Sequence, residues 1–417
     1  MAAPRVRRVD AEAPLELAFA GSVVPPGMAE GSHAFSPAGN KFQTNLLCHL
    51  AAGAGTRIEA FSMRPLSAWP RDRVVSFRGE RTEVGGVPTT LLPFVNLRGI
   101  KEGSLAAGFY TKLRRWAARS AGAPRALLVY NVFSPLSLPV LAAARASGVP
   151  AVAVVADLPF DTYPPRGFRG LLERMERRAQ PAALRRFDGL VVLTPHTAHE
   201  HAPGVPWMLM EGALPAAEAA AGRGDPSTAG APAPGERVVM YSGMLNEMNG
   251  IPLLLESFAR LAEPGWRLWV YGGGPLDAAV RAAARRDPRI TLHPWDVVPE
   301  AEVLRRQRQA HVLVNPRPSS HRANRYSFPS KLLEYLASGT PVVSTVPPGI
   351  PAEYHPHLLV PADESPDGIA AALRRAAHLS DAECALRAGR ARAWLLREKT
   401  WERQAERIAG FLRSVAR

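Results

Sequence analysis

The sequence predicts an α/β protein with two αβα sandwich domains. Short runs rich in Val, Leu and Ala alternate with longer amphipathic stretches through most of the 417 residues. Such runs are typical of parallel strands that helices cover on both faces. Residues 216–236 interrupt the alternation, because they are rich in Ala, Pro and Gly and contain no large apolar residue. We therefore expect a flexible linker there, between the two domains.

The N-terminal half consists of a loose basic tail over residues 1–14 and a domain over residues 15–215. The continuous apolar runs in this domain predict strands, and the amphipathic stretches between them predict helices. In order, these elements are a strand at 15–20, a helix that opens at 39–41, a strand at 126–132, a helix at 136–146, and strands at 151–156 and 189–193.

The same alternation restarts after the linker, and residues 237–395 form the second predicted domain. We assign residues 396–417 to a C-terminal helix. The predicted strands lie at 238–241, 266–271, 290–292, 311–315 and 341–345, and the predicted helices at 251–261, 276–285, 300–310, 331–337, 366–378 and about 380–415.

Charge and cysteine content narrow the class of protein. The formal net charge of +14 favours anionic partners such as phosphate-bearing substrates, nucleic acid or an anionic membrane. Basic residues are not interleaved with aromatic residues as in a nucleic-acid module, so we do not expect nucleic acid as a partner. Cys48 and Cys384 are too few for a disulfide framework and lack metal-ligand spacing. We expect a cytoplasmic protein, at most peripheral at the inner face of the membrane.

The segment from Tyr326 to Tyr335 carries the most informative pattern. Ser330 is expected to cap a helix whose free N–H groups face an anion. The positive charge of Lys331 is unfavourable at the N-terminal end of the helix dipole. A diphosphate bound at the same end would make that charge favourable. Glu334 lies one turn further on, where its carboxylate can accept hydrogen bonds from both hydroxyls of a ribose. The pattern predicts a site for a nucleoside diphosphate, and an ordinary surface helix is the alternative.

This segment, with the following Ala337–Val343, resembles the donor-binding signature of GT-B glycosyltransferases, specifically the retaining family 4 (group 1). The resemblance extends over residues 237–375. It implies two Rossmann-like domains that face each other across a cleft, and a C-terminal helix near Trp401 that returns to the N-terminal domain. It also implies transfer of a sugar from a nucleoside-diphosphate sugar to an acceptor hydroxyl, with retention, without a metal ion and with no cofactor beyond the donor. No Asp-x-Asp sequence occurs, in keeping with the absence of a metal requirement.

The chain departs from the family pattern at three positions. The family has two glutamates eight residues apart; Glu334 matches the second, and Tyr326 stands in place of the first. An Arg and a Lys that hold the diphosphate in the family are replaced by Met244 and Asn249. The phosphate charge must then be met by Lys331, with further candidates in the preceding loop: Arg317, Arg322 and Arg325.

The resemblance implies roles for several more residues of the C-terminal domain. Gly243 matches the glycine turn after the first strand, and Trp295 lies where the family seats the nucleobase, although a core or turn tryptophan is an equal alternative. The predicted donor-binding residues are Gly243, Asn246, Trp295, Arg317, Arg325, Tyr326, Ser330, Lys331 and Glu334.

In the N-terminal domain, Gly39 and Asn40 resemble the first loop of the family, where a plain turn and helix cap is the alternative. Asp157, at the end of an apolar strand, falls where the family keeps a polar residue near the transferred sugar, and Asn131 is a lesser candidate. A helix or turn cap is the alternative for Asp157. We assign catalytic roles to Asp157 and to Lys331, the latter through the charge of the leaving diphosphate.

Residues 164–186 hold seven arginines and a helical apolar stripe. Such a helix either contacts anionic lipid or packs its stripe on the sheet with the arginines in water. The acceptor is accordingly a small molecule or a lipid-linked sugar. Two other functions remain open at this point, namely a GT-B sugar-nucleotide epimerase and a non-catalytic basic binding protein.

Overall fold

A computed structural model of the chain describes residues 13–28, 32–53, 55–119, 123–156, 158, 179–220, 231–294 and 297–416. The chain divides into two compact units. The N-terminal unit comprises Met1–Met210 with Trp401–Arg417, and the C-terminal unit comprises Glu211–Thr400. Of the basic segment 164–186, only residues 179–186 are described.

The N-terminal unit is built on an eight-stranded sheet with the order β10-β9-β8-β7-β1-β2-β5-β4, in which only β4 runs antiparallel to its neighbour. A short antiparallel pair, β3 and β6, lies outside this sheet. The strands are β1 (Leu15–Gly21), β2 (Thr56–Ser62), β3 (Ser76–Phe77), β4 (Glu80–Val84), β5 (Val87–Leu91), β6 (Phe94–Val95), β7 (Arg125–Tyr130), β8 (Ala151–Val155), β9 (Gly189–Val192) and β10 (Trp207–Leu209). The helices are α1 (Pro37–Ala52), α2 (Lys101–Ala117), α3 (Ser134–Ser147) and α4 (Pro195–His201).

The core of this unit follows from the apolar strands. All five residues of β8 are buried, and β1 is buried except at Glu16. Helix α1 begins at Pro37, two residues before the predicted opening, because the Ser36 hydroxyl accepts a hydrogen bond from the Gly39 N–H at 3.2 Å. The chain leaves β1 toward β2 on one side, while β7 adjoins β1 on the other. In open α/β sheets, ligands usually bind in a crevice at the carboxyl ends of the strands beside such a switch point.

The C-terminal unit has a five-stranded sheet, all parallel, with the order β13-β12-β11-β14-β15. Its strands are β11 (Arg237–Ser242), β12 (Trp266–Tyr271), β13 (Ile290–His293), β14 (Val312–Asn315) and β15 (Val342–Ser344). Its helices are α5 (Ala216–Ala220), α6 (Ile251–Ala259), α7 (Asp277–Arg286), α8 (Glu300–Gln309), α9 (Lys331–Ser338), α10 (Pro366–Ala377) and α11 (Asp381–Glu398). The order reverses between β11 and β14, as in a doubly wound sheet. The prediction of two Rossmann-like units is confirmed.

Two stretches differ from the sequence prediction. Residues 216–220, within the predicted linker, form α5, in which Ala219 is buried; residues 221–230 lie outside the described part. The stretch predicted to be helical over about 380–415 consists of two helices, α11 and α12 (Trp401–Val415), which are separated at Lys399 and Thr400. Helix α12 belongs to the N-terminal unit, where Trp401 packs edge-on against Phe42 of α1 at 5.3 Å between ring centroids.

The break between α11 and α12 has a tertiary cause. Lys399 is 3% exposed and forms an ion pair with Glu211, which is 1% exposed. Its Nζ also lies 2.7 Å from Glu353 Oε1, and the Tyr354 hydroxyl donates to Glu211 Oε1 at 2.8 Å. A parallel β-bridge joins Leu214 to the next residue, Thr400. These contacts hold the backbone at Lys399 away from a helical path.

Across the described ranges, every helix is too short or too polar to cross a membrane.

Replacing Lys399 by Met should destabilise the protein by about 3–5 kcal/mol, because it leaves the Glu211 carboxylate buried without its counter-ion. The free energy of unfolding, measured with a chemical denaturant, tests this. Arg397→Met is the matched control: its side chain is 64% exposed and its pair with Glu398 should contribute less than about 1 kcal/mol. Equal effects of the two substitutions would contradict a structural role for the buried pair.

Candidate functional site

The reversal of strand order in the C-terminal unit brings three segments to one edge of the sheet. Gly243 directly follows β11, Arg317 lies two residues after β14, and Lys331 is the first residue of α9. The crevice outside the carboxyl ends of strands at such a switch point is the usual ligand site of an open α/β sheet.

The turn at Gly243 allows close approach to Lys331. Gly243 has a φ of +135°, and a Cβ at this position would lie 3.0 Å from the Lys331 Nζ. That ammonium nitrogen also lies 3.9 Å from the centroid of the Tyr241 ring. Nζ is buried, and none of the described residues accepts a hydrogen bond from it. A larger residue than glycine would therefore compete with Lys331 for the same space.

Arg317 supplies a second buried cation, since its side chain is 6% exposed. Its Nε donates to Asn249 Oδ1 at 3.0 Å, and its Nη1 donates to Ser327 Oγ at 3.3 Å. The Asn249 amide in turn donates to the Met244 carbonyl at 3.1 Å. Both side-chain partners of Arg317 are neutral, so they orient the guanidinium without cancelling its charge. Asn249, which replaces a lysine of the family pattern, thus positions another cation.

Burial governs the ionisation of this group of residues. Burial and the Arg317 guanidinium together lower the pKa of Lys331 well below its usual value, while the Glu334 carboxylate raises it. Burial also lowers the pKa of Arg317 to about 10. The pKa values of the Tyr241 and Tyr335 hydroxyls are raised by burial, which keeps both neutral. Positive charge here is costly until an anion arrives.

A hydrogen-bond network fixes α9 on β11. The Tyr335 hydroxyl accepts from the Ser242 N–H at 2.8 Å and lies 3.2 Å from the Ser242 hydroxyl, which also accepts from Gln307 Nε2 at 3.2 Å. Tyr335 lies one turn after Lys331 on the same helix. The network therefore sets the position of Lys331 relative to the Gly243 turn. The sequence analysis assigned no role to Tyr335. Its spacing of four residues from Lys331 could have indicated that the two side chains lie on the same face of the helix.

The other predicted donor-binding residues have varied surroundings. The capping role predicted for Ser330 is wrong: its φ of −51° and ψ of −29° are helical, and its side chain makes no capping hydrogen bond. Glu334 is half-buried, Tyr326 is buried and Arg325 is exposed. Asn246 accepts a hydrogen bond from the Asn249 N–H at 2.9 Å. Trp295 lies outside the described residues.

The predicted residues of the N-terminal unit stabilise loops at the carboxyl edge of its sheet. The Asn40 side chain accepts from the Val24 N–H at 2.9 Å and donates to the Val24 carbonyl at 3.1 Å. Asn131 has a φ of +65° and accepts from the Ala156 N–H at 2.9 Å. Gly39 lies in the first turn of α1, where a Cβ would come within 3.6 Å of the Tyr130 hydroxyl. Asp157 lies outside the described residues.

A histidine–aspartate pair at the same edge was missed by the sequence reasoning. His33, in the loop after β1, has its Nδ1 2.8 Å from Oδ1 of Asp72, in the loop after β2. Asp72 is 8% exposed and His33 is 52% exposed. Burial raises the pKa of Asp72, but hydrogen bonds from His33, Ser67 and Ser32 outweigh it and lower the value to about 2. Because an ionised carboxylate only accepts hydrogen bonds, His33 Nδ1 is the donor in this pair.

Residues 236–378 match the family model described as glycosyl transferases group 1. This range contains Gly243, Arg317, Lys331 and Glu334, so the family match and the buried cations fall in the same unit. Comparison with curated protein sequences found no relative of the chain.

Solved structures show the fold of the whole chain. Sucrose-phosphate synthase from Thermosynechococcus elongatus is 18% identical with a TM-score of 0.66, covering 96% of this chain and 98% of its own. The α,α-trehalose 6-phosphate synthase from Burkholderia multivorans is 15% identical, with a TM-score of 0.64 and 97% of each chain covered. HepE from Anabaena, in complex with UDP, is 11% identical with a TM-score of 0.63, covering 96% of this chain and all of its own.

The structural neighbours show that the chain has a GT-B fold. Residues 236–378, within the C-terminal unit, match the group 1 glycosyl transferase model, and this match supports a glycosyltransferase enzyme.

Proposed function

We propose that the protein transfers a sugar from a nucleoside-diphosphate sugar to an acceptor hydroxyl, with retention of the anomeric configuration and without a metal ion. The observation that carries this proposal is the pair of buried basic side chains, Lys331 and Arg317, beside the glycine turn at Gly243. The donor binds at the carboxyl edge of the C-terminal sheet, and the acceptor binds on the N-terminal unit.

A diphosphate supplies the negatively charged hydrogen-bond acceptors that Lys331 and Arg317 lack among the described residues of the free protein. Its oxygens carry negative charge and accept hydrogen bonds, whereas the polar groups around Arg317 are an amide and a hydroxyl. Charge-assisted hydrogen bonds to phosphate are stronger than hydrogen bonds between neutral groups. The turn at Gly243 has no side chain to prevent the approach of a phosphate to the backbone. This arrangement supports a diphosphate ligand over an uncharged one.

Glu334 extends the site from the phosphates to the sugar of the nucleotide. It lies three residues after Lys331 on α9, so the two side chains project from neighbouring positions on the helix. A carboxylate accepts hydrogen bonds from the two adjacent hydroxyls of a ribose. The presence of UDP in the HepE structure supports a nucleotide donor for this chain as well.

The same cations serve the reaction. When the bond between the anomeric carbon and the diphosphate breaks, negative charge collects on the leaving phosphate oxygens. Arg317, and Lys331 in its charged form, stabilise that charge from fixed positions in a water-poor site, which is the role a metal ion has elsewhere. The acceptor hydroxyl attacks the face that the diphosphate leaves, and a phosphate oxygen takes its proton. Asp157 stays our candidate for a polar contact to the transferred sugar.

On the N-terminal unit, we assign His33 to the acceptor. Its Nδ1 bond to the ionised Asp72 holds the ring of this half-exposed side chain. Nε2 of the neutral ring can accept a hydrogen bond from an acceptor hydroxyl other than the attacking one, or from the second O–H of a water molecule that replaces the acceptor. Such a bond orients the attacking oxygen, and orientation contributes to the rate of transfer.

A nucleoside diphosphate should raise the thermal midpoint of the protein. At a hundredfold excess over Kd, a ligand adds about 2.7 kcal/mol to the stability of the folded state. We expect one or more of UDP, GDP, dTDP and ADP to stabilise the wild-type protein without added metal, and the shift to be largely lost in Glu334→Ala. Differential scanning fluorimetry measures both.

Glu256→Ala is the matched control for this experiment. Glu256 is an exposed residue of α6, and its replacement should leave the nucleotide-induced shift unchanged. Absence of a shift with all four nucleotides in the wild-type protein would refute the donor site. A full shift in Glu334→Ala would remove the ribose contact from the proposal.

Replacing His33 by Gln should slow the transfer step and leave nucleotide binding intact. The assay uses water as the acceptor and, as the donor, a sugar nucleotide with the base that gives the thermal shift. The rate of its hydrolysis should fall about tenfold, because one oriented hydrogen bond is lost. The Kd of the nucleoside diphosphate should not change. His196→Gln, which affects a similar histidine–carboxylate pair on α4, is the control. An equal loss in the control would argue against a role at the acceptor.

A further inference from the structure

The ammonium group of Lys331 is in a poor environment for a charge. Its Nζ is inaccessible to water, it makes no hydrogen bond within the described ranges, and it faces the Tyr241 ring at 3.9 Å. An aromatic face attracts a cation, but it does not replace the hydrogen bonds that water gives to an ammonium group. The neutral amine loses far less on entering such a site.

The charged and titratable neighbours of Lys331 come from three elements. Arg317, from the loop after β14, repels a positive charge on Lys331, and Glu334 of α9 attracts it. Tyr241 of β11 and Tyr335 of α9 are neutral, because burial raises the pKa of both hydroxyls. Burial and Arg317 together outweigh Glu334, so Lys331 holds its proton weakly in the free protein.

We infer that Lys331 takes up a proton when a nucleoside diphosphate binds, so that donor binding is coupled to pH. This inference rests on the proposed function, since it concerns the same diphosphate site. The phosphate oxygens bring the negative charge and the hydrogen-bond acceptors that Nζ lacks in the free protein. The lone pair of the amine forms the new N–H bond, the buffer supplies the proton, and nothing is oxidised or reduced.

The direction of the pH dependence follows from linkage. The free site has the lower pKa for Lys331, and the diphosphate raises it. Below both values the lysine is charged before and after binding, so no proton is taken up. Between the two values, binding takes up close to one proton, and Kd rises with pH by up to about tenfold per unit. Affinity is therefore lost as the pH increases through this window.

Isothermal titration calorimetry measures the coupling directly. Each of UDP, GDP, dTDP and ADP is titrated into the full-length protein at pH 8 and pH 9, in two buffers that differ in ionisation enthalpy. At these pH values the phosphates, with a second pKa of about 6, are already ionised. Arg317, with a pKa of about 10, stays charged. We expect the observed enthalpy to depend on the buffer, with the sign of slope that indicates net proton uptake.

Two variants assign the proton. Lys331→Arg keeps a permanent charge, so it should bind the nucleotide with no proton uptake. Lys331→Met should bind the nucleotide more weakly than wild type and also without proton uptake. It replaces the arginine variant as the test if the arginine side chain does not fit beside Gly243. Thermal midpoints of both variants establish that they are folded.

The outcomes separate this inference from the proposed function. Nucleotide binding by wild type without proton uptake would overturn the inference and leave the donor site standing. Uptake that persists in both folded variants would assign the proton to another group and would also overturn the inference. Failure of all four nucleotides to bind would overturn the proposed function and, with it, this inference.

Discussion

The cost of placing a positive charge on Lys331 beside the buried Arg317 guanidinium is the constraint on which the arrangement of the C-terminal site depends. Arg317 repels a proton on Lys331, and water stabilises neither charge. The core of the unit supplies the stability that offsets this repulsion, with Tyr241, Leu268 and Val312 buried in its sheet. Functional sites commonly retain such unfavourable electrostatics, because the ligand relieves them on binding.

Neutral side chains do most of the positioning around this pair. The Tyr335 hydroxyl joins α9 to the end of β11 through Ser242, and the Asn249 amide joins Arg317 to the Met244 carbonyl. A carboxylate in either place would have cancelled part of the positive charge. An amide or a hydroxyl fixes geometry and leaves the field of the cations available to an anionic ligand. At His33 the partner is different, because the ionised Asp72 carboxylate holds the imidazole ring.

The sequence predicted the strands that are rich in apolar residues and missed a polar strand at the sheet edge. Strand β8 is a continuous apolar run and was located to within one residue, whereas β4 pairs antiparallel near the sheet edge with mostly exposed polar residues. The helical pattern of residues 380–415 continues across Lys399, so periodicity could not show the break. That break depends on Glu211, 188 residues away in the chain. Long-range ion pairs leave no local pattern.

The residues of the candidate site also fall into those that local sequence predicted and those that only the fold reveals. Lys331 and Glu334 were predicted from local spacing at the start of one helix, and Gly243 was predicted from the resemblance to the family pattern. The partnership of Asn249 with Arg317 spans 68 residues, and that of His33 with Asp72 spans 39, so neither was visible without the fold. The cap predicted at Ser330 failed because the first turn of α9 satisfies its own backbone: the Leu332 N–H donates to the Pro329 carbonyl at 2.9 Å.

The most direct test of the account is a crystal structure of the protein with a bound nucleoside diphosphate, grown without divalent metal. The account predicts phosphate oxygens within hydrogen-bond distance of Lys331 Nζ and of the Arg317 guanidinium, above the Gly243 turn, with the ribose hydroxyls on Glu334. Phosphates bound elsewhere, with Lys331 still against the Tyr241 ring, would contradict it.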